Sequence, residues 1–165
     1  MMRLLTPLLA FSLAGCGLHP LYAGGTSGPV AMSLRTVQVG PIGGQVGWLV
    51  RNKLVDRLSE SGTAAAQYRL DVKIDDNITG FGIRGDRAVT RERRTLRARY
   101  QLVDIATGSV VLDATAGSDA GIDVVSSEYA TVAAEQTAAE RLADNVADQI
   151  VARLGVFAAR TVRRP

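Results

Sequence analysis

The chain of 165 residues has one cysteine and one histidine. A single cysteine closes no intrachain disulfide, so the fold must stand on its core alone. The histidine, His19, lies three residues from Cys16, with no partners beside it for a triad or a zinc site. No apolar run reaches the about 20 residues that a membrane-spanning helix needs. The glycines number 17, yet they form no phosphate loop and no dinucleotide fingerprint. Asp75-Asp76 is the nearest approach to a carboxylate pair, but neighbours along a strand face opposite ways, so they read as surface charges at a strand end. No internal repeat is present. These absences leave no catalytic residues, no metal ligands and no cofactor motif, and the expectation is a protein that is not an enzyme.

What is present begins at the N-terminus. Met1-Met2-Arg3 carries one positive charge and leads into an apolar stretch, Leu4 to Leu13, interrupted by Thr6, Pro7 and Ser12. A charged start, a short apolar run and small residues before a cleavage point make a secretory signal peptide. Leu13-Ala14-Gly15-Cys16 makes it a bacterial lipoprotein signal, in which Cys16 takes a diacylglycerol and the peptidase cuts just before it. Residues 1–15 are then a cleaved signal, and 16–33 the lipidated N-terminus and linker, with Pro20, Gly24, Gly25 and Gly28. Two or more acyl chains hold a soluble body stably at a membrane surface. Gly17 stands where lipoproteins retained in the inner membrane commonly carry Asp, which points to the outer membrane, facing the periplasm.

The mature chain of 150 residues suffices for one compact domain, expected over 34–155, with a basic tail at 156–165. Val37 and Val39 suggest a first strand from Leu34 to Val39, closed by Gly40-Pro41. Val46, Leu49, Val50, Leu54 and Leu58 recur at helical spacing up to Ser61-Gly62. Tyr68, Leu70, Val72 and Ile74 then alternate with Arg69, Asp71, Lys73 and Asp75, the pattern of a half-buried strand. Leu96, Ala98, Tyr100 and Leu102 repeat it, as do Val110, Leu112, Ala114 and Ala116, with turn residues from Asp104 to Gly108 between them. The span from Asn77 to Thr90 reads as a long loop or an extended hairpin tip. From Ser127 to Leu154 an alanine-rich helix is expected, with Gly155 as its stop. The order β-α-β-β-β-α predicts an α+β two-layer sandwich, a four-stranded mixed sheet with two helices on one face.

The charge is lopsided. Between Arg84 and Arg99 stand seven arginines against Asp86 and Glu92, a net of +5, while the rest of the mature chain has 11 basic and 14 acidic residues. Arg91, Arg93, Arg97 and Arg99 are all odd-numbered, so one regular strand sets them on a single face, opposite Leu96, Ala98 and Tyr100. Guanidinium groups bind phosphate in bidentate fashion and keep their charge in any setting. A solvated face neutralised across strands by Asp71, Asp75 and Asp113 is the competing reading. Nucleic acid is the default partner of such a face, but the export signal excludes it. The abundant polyanion outside a bacterial cell is lipopolysaccharide. The candidate ligand residues are thus Arg91, Arg93, Arg97 and Arg99, with Arg84 and Arg87 beside them.

Cys16-Gly17-Leu18-His19-Pro20-Leu21-Tyr22 resembles the mature start of the LPS-assembly lipoprotein family, LptE, in which Cys-Gly-aromatic-x-Pro-Leu-Tyr is common; Leu18 replaces the aromatic residue. The order of elements is similar over nearly the whole mature chain. The resemblance implies an outer-membrane lipoprotein that plugs the large β-barrel LptD, assists its assembly, binds lipopolysaccharide and helps place it in the outer leaflet. It implies ligand contacts by basic residues near a sheet hairpin, here the region Arg84 to Arg99. Two alternatives stand beside it: a periplasmic scaffold lipoprotein without glycolipid binding, and an accessory cell-envelope hydrolase or peptidoglycan-binding lipoprotein.

Overall fold

The computed structural model describes residues 25–58, 65–83 and 89–162. Cys16, Arg84, Arg87 and the helix end expected at Ser61-Gly62 lie outside them. A single 3-10 turn at Gly25–Ser27 leads into α1 (Pro29–Leu34), then β1 (Val37–Val39), α2 (Gln45–Leu58), β2 (Tyr68–Ile83), β3 (Val89–Asp104), β4 (Val110–Asp123) and α3 (Glu128–Val162). The strands form one mixed sheet in the order β1-β2-β3-β4, an α+β fold as expected. β1 runs parallel to β2, and α2 supplies the crossover that parallel neighbours require. β2, β3 and β4 follow as an antiparallel meander.

The turn between β3 and β4 is set by its residues. The Asp104 carboxylate accepts from the amides of Ala106 and Thr107 at 2.9 and 3.0 Å. Gly108, at φ +70°, takes a left-handed conformation that side chains disfavour. Beyond an irregularity between Leu102 and Val103 that shifts the pairing by one residue, Arg99 stands opposite Thr115, Arg97 opposite Gly117 and Thr95 opposite Asp119.

Both long helices cover one sheet face. Leu70, Leu96, Ala98, Tyr100, Leu102 and Ala116 project into them and are at most 8% exposed. They meet Val50, Leu54 and Leu58 of α2 and Leu142, Val146, Ile150 and Leu154 of α3. Each such side chain contributes about 1.5–3 kcal/mol on burial. Alanines at 139, 143 and 147 are fully buried too, and their small size brings α3 close to the layer it covers. The helices run parallel: Gln45 reaches Gln136 at 3.3 Å, Lys53 reaches Asp144 at 3.1 Å, and Arg57 reaches Asp148 at 2.7 Å.

Two expectations are corrected, and one left open is decided. The segment before β1 is not all linker: Pro29, whose fixed φ suits a first helical turn, opens α1. The span from Asn77 to Thr90 is strand out to Ile83 and again from Val89, which is the extended-hairpin alternative. The last helix passes through Gly155, expected as its stop, to Val162, so most of the basic segment expected as a tail at 156–165 is helix. Phe157 gives the reason, since its ring packs edge-on against Tyr68 with centroids 6.2 Å apart, and Ala158 is buried beside it.

β4 is an edge strand with an unpaired row of backbone groups. Gln149 of α3 closes it at one point: its amide accepts from Gly117 N at 3.2 Å and donates to Gly117 O at 3.0 Å.

Candidate ligand face on the open side of the sheet

Opposite the helices, the sheet presents its odd-numbered residues. β3 contributes Arg91, Arg93, Thr95, Arg97, Arg99 and Gln101; β4 contributes Asp113, Thr115, Gly117, Asp119, Gly121 and Asp123. β2 adds Arg69, Asp71, Lys73, Asp75 and, farther along, Phe81. The alternation therefore brings Arg91, Arg93, Arg97 and Arg99 together. Arg94 goes to the other side, where it pairs with Asp76 at 2.7 Å and donates to the Glu135 carbonyl of α3 at 2.8 Å. Asp75 and Asp76 are separated onto opposite faces in the same way.

The face is no bare cationic patch. Arg91 donates to Asp123 at 3.0 Å, Arg97 to Asp119 at 3.2 Å, and Arg99 to Asp113 at 2.9 Å. Arg69 folds onto Asp71 at 3.0 Å. Asp75 stands opposite Arg97 in register, but Arg97 turns the other way. Counting Arg69, Lys73 and the four arginines against Asp71, Asp75, Asp113, Asp119 and Asp123, the face carries +1. Hydrogen bonds from Thr95 and then Arg97 hold the Asp119 carboxyl below its ordinary pKa. Those from Arg99 and then Gln101 do the same for Asp113. Both aspartates stay ionised at neutral pH, so the neutralisation persists there.

Arg97 is fixed in place more firmly than its neighbours. Its guanidinium donates to the carbonyls of Leu96 and Ser118, each at 3.2 Å, as well as to Asp119. It lies across Gly117, where a Cβ would sit 2.6 Å from Arg97 Cδ. Arg93 differs. It has no ion pair among the described residues, and its guanidinium carbon stands 5.6 Å from the centre of the Phe81 ring. A cation over an aromatic face keeps its full charge for an incoming anion. Lys73, also without an ion pair among the described residues, lines a shallow groove of about 240 Å³ with Pro41, Asp71, Val72, Arg99 and Gln101. A second groove, of about 280 Å³, lies at the far end between Phe81, Arg91, Gly121 and Asp123.

Sequence reasoning missed Phe81, Gly117, Asp119 and Asp123. The signal for the aspartates was the alternation of Val110, Leu112, Ala114 and Ala116, which leaves the odd-numbered Asp119 and Asp123 on the opposite face, with the arginines. Among the described residues, no three His, Cys, Asp or Glu side chains gather to hold a metal ion. No helix among them is long and apolar enough to cross a membrane.

An open mixed sheet backed by two parallel helices is an arrangement shared with several solved bacterial lipoproteins. A candidate lipoprotein from Caulobacter crescentus CB15 superposes with TM-score 0.63 and 26% identity, over 79% of this chain and 96% of that one. Rare lipoprotein B from Shewanella oneidensis matches with TM-score 0.59 and 11% identity, over 77% and 98%. A minor lipoprotein from Acinetobacter baumannii gives 0.55 and 13%, over 74% and 92%. The last two likenesses are of fold. No curated protein matches the chain. The family model for LptE, lipopolysaccharide-assembly, matches residues 34–154, all of the sheet and most of α3. The chain belongs to the LptE family, and a role in lipopolysaccharide assembly in the cell envelope goes with that membership.

Proposed function

We propose that this chain is a non-enzymatic lipoprotein of the outer membrane, anchored through acylated Cys16 and facing the periplasm. It joins an LptD-type β-barrel as plug and assembly factor, and it binds lipopolysaccharide on the open sheet face. The observation that carries the reading is the family match over residues 34–154, which spans the sheet bearing Arg91, Arg93, Arg97 and Arg99. Phosphates of the glycolipid would compete with Asp113, Asp119 and Asp123 for the arginines and meet Arg93 directly. A guanidinium exchanging a carboxylate for a phosphate keeps its bidentate geometry, so the aspartates would hold the side chains extended until ligand arrives.

A second reading gains from the same ion pairs: a scaffold whose arginines serve only the fold and the barrel wall. Tagged mature chain, recovered from outer membranes, separates the possibilities. The proposal expects an LptD-type barrel and bound lipopolysaccharide in the eluate. A barrel without glycolipid would favour the scaffold, and neither would sink both. Depletion should lower the assembled barrel and let hydrophobic antibiotics enter.

A further inference from the structure

On the open face, Arg69, Arg91, Arg97 and Arg99 each engage an aspartate. Lys73 and Arg93 engage none among the described residues. The register places Lys73 opposite Arg99, and Arg93 lies six residues from Arg99 along β3. At about 3.3 Å per residue, the two uncommitted charges stand about 20 Å apart along the sheet. Arg93 is drawn toward Phe81, which pairs with Arg91 on the side away from Lys73. One phosphate therefore does not bridge them. A ligand that uses both carries anionic groups at two points.

Lys73 also stands in a formed groove. Gly40, just after β1, donates its N–H to Leu70 O at 3.0 Å. The chain there runs so close to β2 that a Cβ on Gly40 would meet Asp71 Oδ1 at 3.1 Å. Pro41 is thereby held at the edge of β2, and with Asp71, Val72, Lys73, Arg99 and Gln101 it lines the groove of about 240 Å³. Pockets for drug-sized molecules run from about 300 to 1,000 Å³, so this one has room for a single ring. Arg99 directs Nε and Nη2 to Asp113, which leaves Nη1 without a hydrogen bond among the described residues. Gln101 donates Nε2 to the same carboxylate and keeps Oε1 as an acceptor. Asp71, held by Arg69, retains lone pairs that a hydroxyl can use. Lys73 and Arg99 against Asp71 give the lining a net charge of +1. That balance matches one carboxylate, whereas a doubly ionised phosphate would be repelled by Asp71.

We propose that this groove binds an acidic sugar. Its carboxylate would lie on Lys73 and Arg99 Nη1, its hydroxyls on Asp71 and Gln101, and one face of its ring against Pro41. The inference rests on glycolipid binding at the open face and adds a second point of attachment: phosphate at Arg93, and a sugar carboxylate about 20 Å away at Lys73. Lipopolysaccharide offers both groups, phosphates on its lipid and carboxylates in the sugars that follow. Linked groups that engage two sites gain avidity over either alone. Attachment at two points would also align the glycolipid with β3 and discriminate against phospholipids, whose single headgroup reaches one site.

Mature acylated chain in detergent is titrated with lipid A, which has the phosphates but no acidic sugar, and with lipopolysaccharide that retains both. Wild type should bind the second about fivefold tighter. Lys73→Gln should lose that margin and leave lipid A binding unchanged. Lys73→Arg should keep the margin, and Arg93→Gln should weaken both ligands alike, with circular dichroism verifying each fold. Excess glucuronate should erase the margin, and excess glucose should not. Equal wild-type affinities for the two glycolipids, a margin that survives Lys73→Gln, or one erased by glucose as well would overturn the groove and leave phosphate binding at Arg93 standing. Free glucuronate bound as tightly as lipopolysaccharide would assign the groove to a free sugar acid and overturn the attachment at two points. A wild type that binds neither glycolipid would overturn the glycolipid reading, and the groove with it.

Discussion

The two faces of β3 obey different physics along one backbone. Even-numbered residues from Leu96 to Leu102 are at most 2% exposed, and any polar substitute there would lack a partner. On the odd-numbered side, Arg91, Arg97 and Arg99 are solvent-exposed ion-pair members whose partners all come from β4. One face therefore sets the fold, while the other can be rewritten in charge at little structural cost. A face of that kind is suited to carry function.

The comparison breaks first on the covered side. Leu96→Ala should cost about 2–5 kcal/mol, through lost burial and the cavity left behind. Urea unfolding would show it; a midpoint like that of the wild type would mean the helices do not seat on this strand.

Arg94→Gln tests the boundary between the two faces. It strands Asp76 and frees the Glu135 carbonyl where both side chains of the pair are mostly covered. A loss of about 1.5–3 kcal/mol is expected, as for a hydrogen bond to a charged group. The same substitution at exposed Arg91 should hardly move the midpoint.

Acid should act on the open face. Asp113 and Asp119 have pKa values lowered by folding. Their contribution is therefore complete above the pKa of an unfolded aspartate and is lost as pH falls through the lower folded value. Asp144 behaves alike: burial opposes its charge, but Lys53 and Arg57 outweigh that. Tm should hold from neutral pH down to the ordinary carboxylate range and drop below it. A Tm that rises on acidification through that range would contradict the pairing.

Much of this was legible without coordinates. Alternation at Tyr68 to Ile74 and Leu96 to Leu102 identified the strands and their faces, because a half-buried strand has little freedom in where it puts apolar groups. The far hairpin was harder to read. Gly80, Gly82 and the run from Arg91 to Arg94 give no apolar alternation, since one face is solvated and the other only partly covered. Asp113 was legible as a cross-strand partner, but Asp119 and Asp123 were not, because charge along a sequence does not reveal every cross-strand partner until a register is chosen. The arginine run therefore looked far more cationic than the folded face is.

Smaller still is the effect of Gly117→Ala. The new methyl would displace Arg97 from its seat and its aspartate, with a stability change within about 1 kcal/mol. Loss of the cross-strand contact between Arg97 and the Asp119 side chain in nuclear magnetic resonance spectra would show it, and an unmoved Arg97 would contradict the geometry.

The open face as a polyanion site is tested most directly by calorimetric titration of lipopolysaccharide into three proteins: wild type, Arg93→Gln and Asp119→Asn. Removing the uncommitted cation should weaken binding, and removing the competing carboxylate should tighten it, with both differences shrinking as salt rises. Affinities unchanged in both variants would contradict the account and leave the arginines to the fold and the barrel contact.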